Sequence, residues 1–70
     1  MVDLNRKVCD QLKSTRKQLG YSQHYVATVI GMSQNNYSRI ESGKSKITIE
    51  QIQKISSVFG KNVLEIISCN

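Results

Sequence analysis

Only three residues, Gly31-Met32-Ser33, separate two short segments whose apolar residues recur at helical spacing. Glycine tolerates the left-handed backbone conformation that ends many helices, and serine accepts a hydrogen bond from a free N–H group at the start of the next one. So short a connection forces the two helices to cross steeply, at roughly 90–120°. The segment from Gln23 to Ser42 is therefore predicted to be a tight pair of crossed helices. The predicted inward face of the first of these helices consists of Val26, Val29 and Ile30.

A longer helix is predicted before this pair. Apolar or small residues recur every three or four positions there, so they share one helical face. Gly20 follows as a stop, and we expect the helix to run from about Asp3 to Leu19. Its predicted inward face consists of Leu4, Val8, Leu12, Thr15 and Leu19.

Two capping boxes predict two more helices in the C-terminal third. Thr48 with Gln51, and Asn62 with Glu65, have the spacing at which two side chains satisfy free backbone N–H groups at a helix start. Gly60 stops the first of these helices. Proline is absent and strand signals are weak, so the sequence predicts one compact, all-α domain of five helices over residues 1–70. The inward face of the fourth helix is predicted to be Ile49, Ile52, Ile55, Ser56 and Phe59.

The excess positive charge lies in the first two thirds of the chain. The net charge is +5, with eight Lys/Arg and three Asp/Glu in residues 1–46 and two of each in residues 47–70. A basic surface favours nucleic acid or anionic membrane, or it simply keeps a protein in solution. No apolar run approaches the roughly 20 residues of a membrane span, and no signal peptide is visible. We therefore expect a cytoplasmic protein without a membrane partner.

The residues needed for catalysis or for metal binding are scarce. One histidine, His24, and five carboxylates form no nucleophile–base constellation. Cys9 and Cys69 form neither a disulfide framework nor a metal cluster, and Cys9 is expected in the core. A domain this small has no room for both a core and a deep pocket. We expect no enzyme activity, no cofactor, no metal and no small-molecule effector.

The third helix, between Ser33 and Gly43, is crowded with hydrogen-bonding side chains. Tyr37 and Ile40 are its predicted inward residues. The remaining polar residues form either an ordinary solvated helix face or a surface that reads a partner. These residues are Gln34, Asn35, Asn36, Ser38 and Arg39.

The stretch LKSTRKQLGYSQHYVATVIGMSQNNYSRIESGKSKITIEQI resembles the Cro and phage-repressor family, the xenobiotic-response-element type of helix-turn-helix regulator. The resemblance covers about residues 8–67. It implies a repressor-like domain whose helix-turn-helix unit is formed by helices 2 and 3. The residues that carry it are Arg16, Ser22-Gln23, Val26-Ala27, Gly31 and Ile40-Glu41-x-Gly43.

The resemblance implies that helix 3 enters the major groove of DNA with its N-terminal residues against base edges. Glutamine and asparagine bind adenine with two hydrogen bonds, and arginine binds guanine in the same way. Gln34 and Asn35 are the first candidates for base reading, and Asn36, Ser38 and Arg39 are the second.

The resemblance also implies contacts to DNA phosphates and one internal ion pair. Gln23 is expected to bind a phosphate and to brace Gln34, and the helix start at Ser33 adds backbone N–H groups. Tyr37 replaces a usual aliphatic residue, so its hydroxyl is expected to touch the DNA backbone. Lys44 and Lys46 are either phosphate contacts or plain surface lysines. A salt bridge between Arg16 and Glu41 is expected to orient helix 3.

So small a domain needs a symmetric dimer to bind two half-sites about 34 Å apart. The predicted function is a transcriptional regulator, a repressor, that binds a two-fold symmetric operator in double-stranded DNA as a homodimer, like Cro or the controller proteins of restriction–modification systems. The alternative is an antitoxin-type protein-interaction module that also binds its own promoter. The residues expected at the dimer interface, unless they complete the monomer core, are Val63, Leu64, Ile66 and Ile67.

Overall fold

The computed structural model describes residues 4–67, and the side chains of residues 5–66, as five α-helices. No strand occurs within these residues. The all-α, five-helix prediction is therefore confirmed, while the predicted start at Asp3 lies outside the described part. The helices are α1 (Leu4–Leu19), α2 (Gln23–Ile30), α3 (Gln34–Glu41), α4 (Ile49–Phe59) and α5 (Val63–Ile67).

Local hydrogen bonds define the starts of four helices. Ser22, Ser33 and Thr48 each accept a hydrogen bond from the backbone N–H three residues further on. The box at Thr48 is complete, since the Gln51 side chain accepts from the Thr48 N–H at 2.9 Å. Asn62 and Glu65 exchange the equivalent two bonds at 2.8 and 3.1 Å. Both capping boxes predicted from the sequence are confirmed.

The core is built by residues from all five helices. Val8, Cys9 and Leu12 of α1 are buried, as predicted for Cys9, whereas Cys69 lies outside the described residues. The buried cluster at the centre consists of Val8, Leu12, Val26, Ala27, Tyr37, Ile55, Phe59 and Ile66.

Three residues predicted to face inward are instead exposed. Leu19 and Ile49 are the last residue of α1 and the first residue of α4, and Val29 lies one residue before the end of α2. Apolar spacing identifies the inward side of a helix, but not how far along the helix its neighbours extend. At these helix ends the predicted inward face continues beyond the packed core, so that part of the prediction is wrong.

Within residues 4–67, no helix has the length and apolar character that crossing a membrane requires. The same part of the chain contains no cluster of three or more His, Cys, Asp or Glu side chains able to hold a metal ion.

Candidate nucleic-acid interface

The turn between α2 and α3 is closed by backbone hydrogen bonds. Gly31 has φ +78° and ψ +31°, in the left-handed region, and donates its N–H to the Thr28 carbonyl. The Met32 N–H donates to the Ala27 carbonyl at 2.8 Å. Ser33 then begins α3 by accepting the Asn36 N–H at 3.1 Å. The short connection predicted from the sequence therefore joins α2 directly to a capped α3.

One side of α3 is packed into the domain and the other is left to solvent. Tyr37, Ile40 and Glu41 are buried. Ser38 is half-buried, and four of the five predicted reading residues are exposed. The outward face therefore combines amide groups with one guanidinium, and its exposed members are Gln34, Asn35, Asn36 and Arg39.

The ion pair expected between Arg16 and Glu41 is present and almost completely buried. Arg16 Nε donates to Glu41 Oε2 at 2.6 Å, and Nη2 donates to Oε1 at 3.2 Å. Arg16 is 8% exposed and Glu41 3%. The third guanidinium nitrogen, Nη1, donates to the Tyr21 carbonyl at 2.7 Å. This arrangement ties α1, the α1–α2 connection and the end of α3 together.

Gln23 joins the same cluster, which corrects the expectation that it braces Gln34. Its Nε2 donates to Glu41 Oε1 at 3.0 Å. A fixed carboxylate is a stronger acceptor than a neutral, exposed amide, which gives a physical reason for this choice of partner. The first residue of α2 is thereby connected to the last residue of α3.

The environment of Glu41 favours its ionised form. Burial alone would raise the pKa of the Glu41 carboxyl, but the hydrogen bond donated by Arg16, followed by the nearby Tyr37 hydroxyl and the Gln23 amide, outweighs burial and lowers it. The same carboxylate raises the pKa of the Arg16 guanidinium. Both shifts favour the charged forms, so the pair is charged at neutral pH.

Tyr37 is fully buried, with 0% exposure, so the expectation that it touches the DNA backbone is wrong. Its spacing of three residues from Ile40 places its ring on the inward face of α3, in the central cluster. The hydroxyl has no hydrogen-bond partner among the described residues. Burial, followed by the nearby Glu41 carboxylate, raises the pKa of Tyr37.

Three other predicted phosphate contacts lie at the surface beside α3. Ser33 is exposed at the start of the helix. Lys44 and Lys46 are exposed on the loop that follows its end. The N–H groups of Lys44 and Ser45 donate to the Arg39 carbonyl at 2.9 and 3.2 Å, which folds this loop back against α3. The loop that carries both lysines therefore begins against the C-terminal turn of α3.

The residues predicted for a dimer interface do not form one surface. Ile66 is buried in the monomer core, so its assignment to an interface is wrong. The short α5 packs against α1 and α4, and that packing directs Ile66 inward. Val63 is half-buried, whereas Leu64 is 71% exposed. The side chain of Ile67 lies outside the described part.

Two hydrogen bonds that organise this region could not be predicted from the sequence. Gln23 was assigned to the wrong partner, and the bond from the Ile47 N–H to Asn5 Oδ1 at 3.1 Å was not anticipated. No local sequence pattern predicts either bond, because each joins residues that are far apart in the chain.

Comparison with known proteins identifies the family. The family described as helix-turn-helix matches residues 12–66. The SPbeta prophage-derived uncharacterized HTH-type transcriptional regulator YonR of Bacillus subtilis (strain 168) is 31% identical over 51 residues, which cover 73% of this chain. Those residues cover 47% of the relative, so the chain spans about half the length of that protein. No solved structure gives a significant match.

The family match covers more than half of the chain, and it includes α2, α3 and the cluster that holds them. The chain therefore belongs to the helix-turn-helix family of the Cro/repressor type.

Proposed function

We propose that this protein is a sequence-specific transcriptional regulator, a repressor, that inserts α3 into the major groove of double-stranded DNA. The observation that carries the proposal is the two-sided character of α3. Its inward side is fixed by Tyr37, Ile40 and Glu41, and its outward side presents amides and a guanidinium. A rigid helix with a polar outer face fits the way helix-turn-helix units contact base edges.

Base reading is assigned to the exposed N-terminal part of α3. Gln34 and Asn35 are its first two residues, the part of such a helix that lies deepest in the groove. Each side chain can bind adenine through two hydrogen bonds, a contact worth about 1–3 kcal/mol of discrimination. Asn36, Ser38 and Arg39 follow as secondary contacts, with Arg39 suited to guanine.

Phosphate contacts are assigned to groups at the edges of the helix-turn-helix unit. One amide N–H of Gln23 is used by Glu41, and the amide keeps a second N–H for a phosphate. The start of α3 at Ser33 offers backbone N–H groups, and Lys44 and Lys46 add charge. These contacts set the position of α3 on DNA and carry no sequence information.

Binding as a symmetric dimer is part of the proposal. A single α3 reads few base pairs, and two copies related by a two-fold axis would read half-sites about 34 Å apart. Leu64 is a large apolar side chain with 71% exposure on α5, beside the half-buried Val63. The exposed part of α5 is therefore the proposed dimer surface.

Selection of bound sequences from a pool of random DNA duplexes tests this function. We expect enrichment of a two-fold symmetric consensus whose half-sites are separated by about one helical turn. Gln34→Ala should change or weaken the consensus, while Gln18→Ala, the same change at an exposed position of α1, should leave it intact. A pool that shows no enrichment with the wild-type protein would refute sequence-specific DNA binding.

A further inference from the structure

The first turn of α1 lies against the basic loop that follows α3. The Asn5 side chain accepts a hydrogen bond from the Ile47 N–H at 3.1 Å, across 42 positions of the chain. The Arg6 side chain passes over Gly43, where an added Cβ would lie 3.5 Å from Arg6 Cδ and 4.0 Å from Nη1. α1 therefore contacts both ends of the loop formed by residues 43–47.

This loop is held at two places that bracket its lysines. At its beginning, the N–H groups of Lys44 and Ser45 donate to the Arg39 carbonyl. At its end, Ile47 is held by Asn5. Lys44 and Lys46 project from the backbone between these anchors and are exposed. A loop that is already ordered loses less conformational entropy when its cations bind an anion.

Arg6 adds a third cation to this surface. Its Nε lies 3.8 Å from Asp10 Oδ1, one helical turn away, and both side chains are 66% exposed. Ion pairs this exposed contribute little, so a phosphate can replace the carboxylate at small cost. Guanidinium also matches the geometry of phosphate oxygens with two parallel hydrogen bonds. Arg6, Lys44 and Lys46 then form one basic surface beside the end of α3.

We propose that the first turn of α1 belongs to the DNA-contacting surface, where Asn5 positions the loop of Lys44 and Lys46 and Arg6 binds a backbone phosphate beside them. This inference rests on the proposed DNA-binding function and extends it to two residues outside the helix-turn-helix unit. Asn5 is a positioning residue, and Arg6 makes the contact.

The test for Arg6 is the salt dependence of binding to the duplex selected by the wild-type protein. Arg6→Gln keeps much of the aliphatic stem over Gly43 and removes the charge. Each neutralised phosphate contributes about 0.9 to the slope of log K against log salt, so the slope should fall by about 0.9 per protomer. For the proposed dimer the slope falls by about 1.8 in total, so the affinity loss should be about 12-fold larger at 50 mM than at 200 mM salt.

Lys61→Gln is the matched control, because it removes the same charge at the α4–α5 junction, away from this loop. Its salt slope should stay at the wild-type value. Equal slopes for Arg6→Gln and Lys61→Gln would overturn the assignment of Arg6. Failure of the wild-type protein to select any duplex would instead refute the proposed function, so the two failures are distinguishable.

Asp10→Asn gives a test in the opposite direction. Removing the Asp10 carboxylate, one partner of Arg6, should tighten DNA binding, while the number of neutralised phosphates, and with it the salt slope, stays the same. Glu65→Gln removes the same charge on α5 while keeping a side-chain oxygen to accept the Asn62 N–H, so it serves as control. An Asp10→Asn protein that binds no more tightly than Glu65→Gln would contradict the inference.

Amide hydrogen exchange tests the positioning role of Asn5. Asn5→Ala should speed exchange at Ile47 by about fivefold, the factor for loss of one ordinary hydrogen bond, while amides in the middle of α1 keep their protection. The same variant should also bind DNA more weakly than the wild type. Unchanged exchange at Ile47, or faster exchange with unchanged DNA affinity, would remove Asn5 from the proposal.

Discussion

Truncation of Glu41 to alanine should destabilise the domain severely. The change removes the acceptor for Arg16 Nε, Arg16 Nη2 and Gln23 Nε2 and leaves a guanidinium that is 8% exposed without its counter-charge. Breaking a buried ion pair on one side typically costs about 3–5 kcal/mol. We expect the lower end, about 3 kcal/mol, because Arg16 Nη1 keeps the Tyr21 carbonyl at 2.7 Å.

That loss is large for a chain of 70 residues, whose total stability is on the order of 4–10 kcal/mol. Urea unfolding of wild type and Glu41→Ala measures it, and titration with the selected duplex measures the effect on DNA binding. The free energy of unfolding and the DNA affinity should both decrease, because the ion pair connects α1 to the end of α3. An unchanged unfolding midpoint together with unchanged DNA affinity would refute this reasoning.

A double variant separates stability from orientation. Replacing both members with apolar residues of similar size, Arg16→Met with Glu41→Leu, removes the cost of a lone buried charge, so most of the lost stability should return. DNA affinity should stay low, because the two-pronged hydrogen bond that holds the end of α3 is gone. Recovery of both stability and affinity would show that the pair does not orient α3.

Three further outcomes follow from the same region. The pKa of Glu41 is lower in the folded state than in the unfolded state. The ionised carboxylate therefore stabilises the fold above the unfolded carboxyl pKa of about 4.3, and this stabilisation is lost as pH falls through the folded pKa. The free energy of unfolding, measured from pH 2 to 7, should depend less on acid for Glu41→Gln than for the wild type. Tyr37→Phe removes a buried hydroxyl that has no hydrogen-bond partner among the described residues. Thermal unfolding should therefore show equal stability or a gain of up to about 1 kcal/mol, with unchanged DNA affinity, and a clear loss of stability would contradict the absence of a partner. Gly31→Ala should lower the free energy of unfolding in urea by roughly 1–2 kcal/mol because φ at this position is +78°, whereas Gly31→Asn should lower it less. Equal losses of stability for the two variants would contradict the conformational explanation.

Helix ends were predictable because their signals are local. Ser33 and Thr48 bond to N–H groups three residues away, and Gly31 needs only its own backbone freedom. Such interactions lie within one turn of the chain and depend little on the rest of the fold. The five helices could therefore be located from residue types and spacing alone.

Partner choice across the fold was not predictable in the same way. The Gln23 side chain can reach more than one acceptor. Its hydrogen bond to Glu41 depends on how α2 and α3 pack against each other, which the sequence does not show. Asn5 and Ile47 are 42 positions apart, and nothing local pairs them. Sequence reasoning located the outward face of α3 but not the contacts that support it.

Tyr37 and Ile49 show opposite errors. The spacing of Tyr37 placed it inward, and the expectation of a surface role came from an unusual residue type at a family position. Ile49 has inward spacing but is exposed as the first residue of α4. The spacing of apolar residues indicates which side of a helix a side chain lies on. Burial also requires another helix to pack against that position along the helix.

The most direct test of base reading compares two duplexes of equal length, the selected operator and a scrambled sequence, at one salt concentration. Gln34→Ala should weaken binding to the operator by about 5- to 150-fold for each half-site, the equivalent of 1–3 kcal/mol per protomer, and leave binding to the scrambled duplex nearly unchanged. An equal loss on both duplexes would contradict base reading by α3.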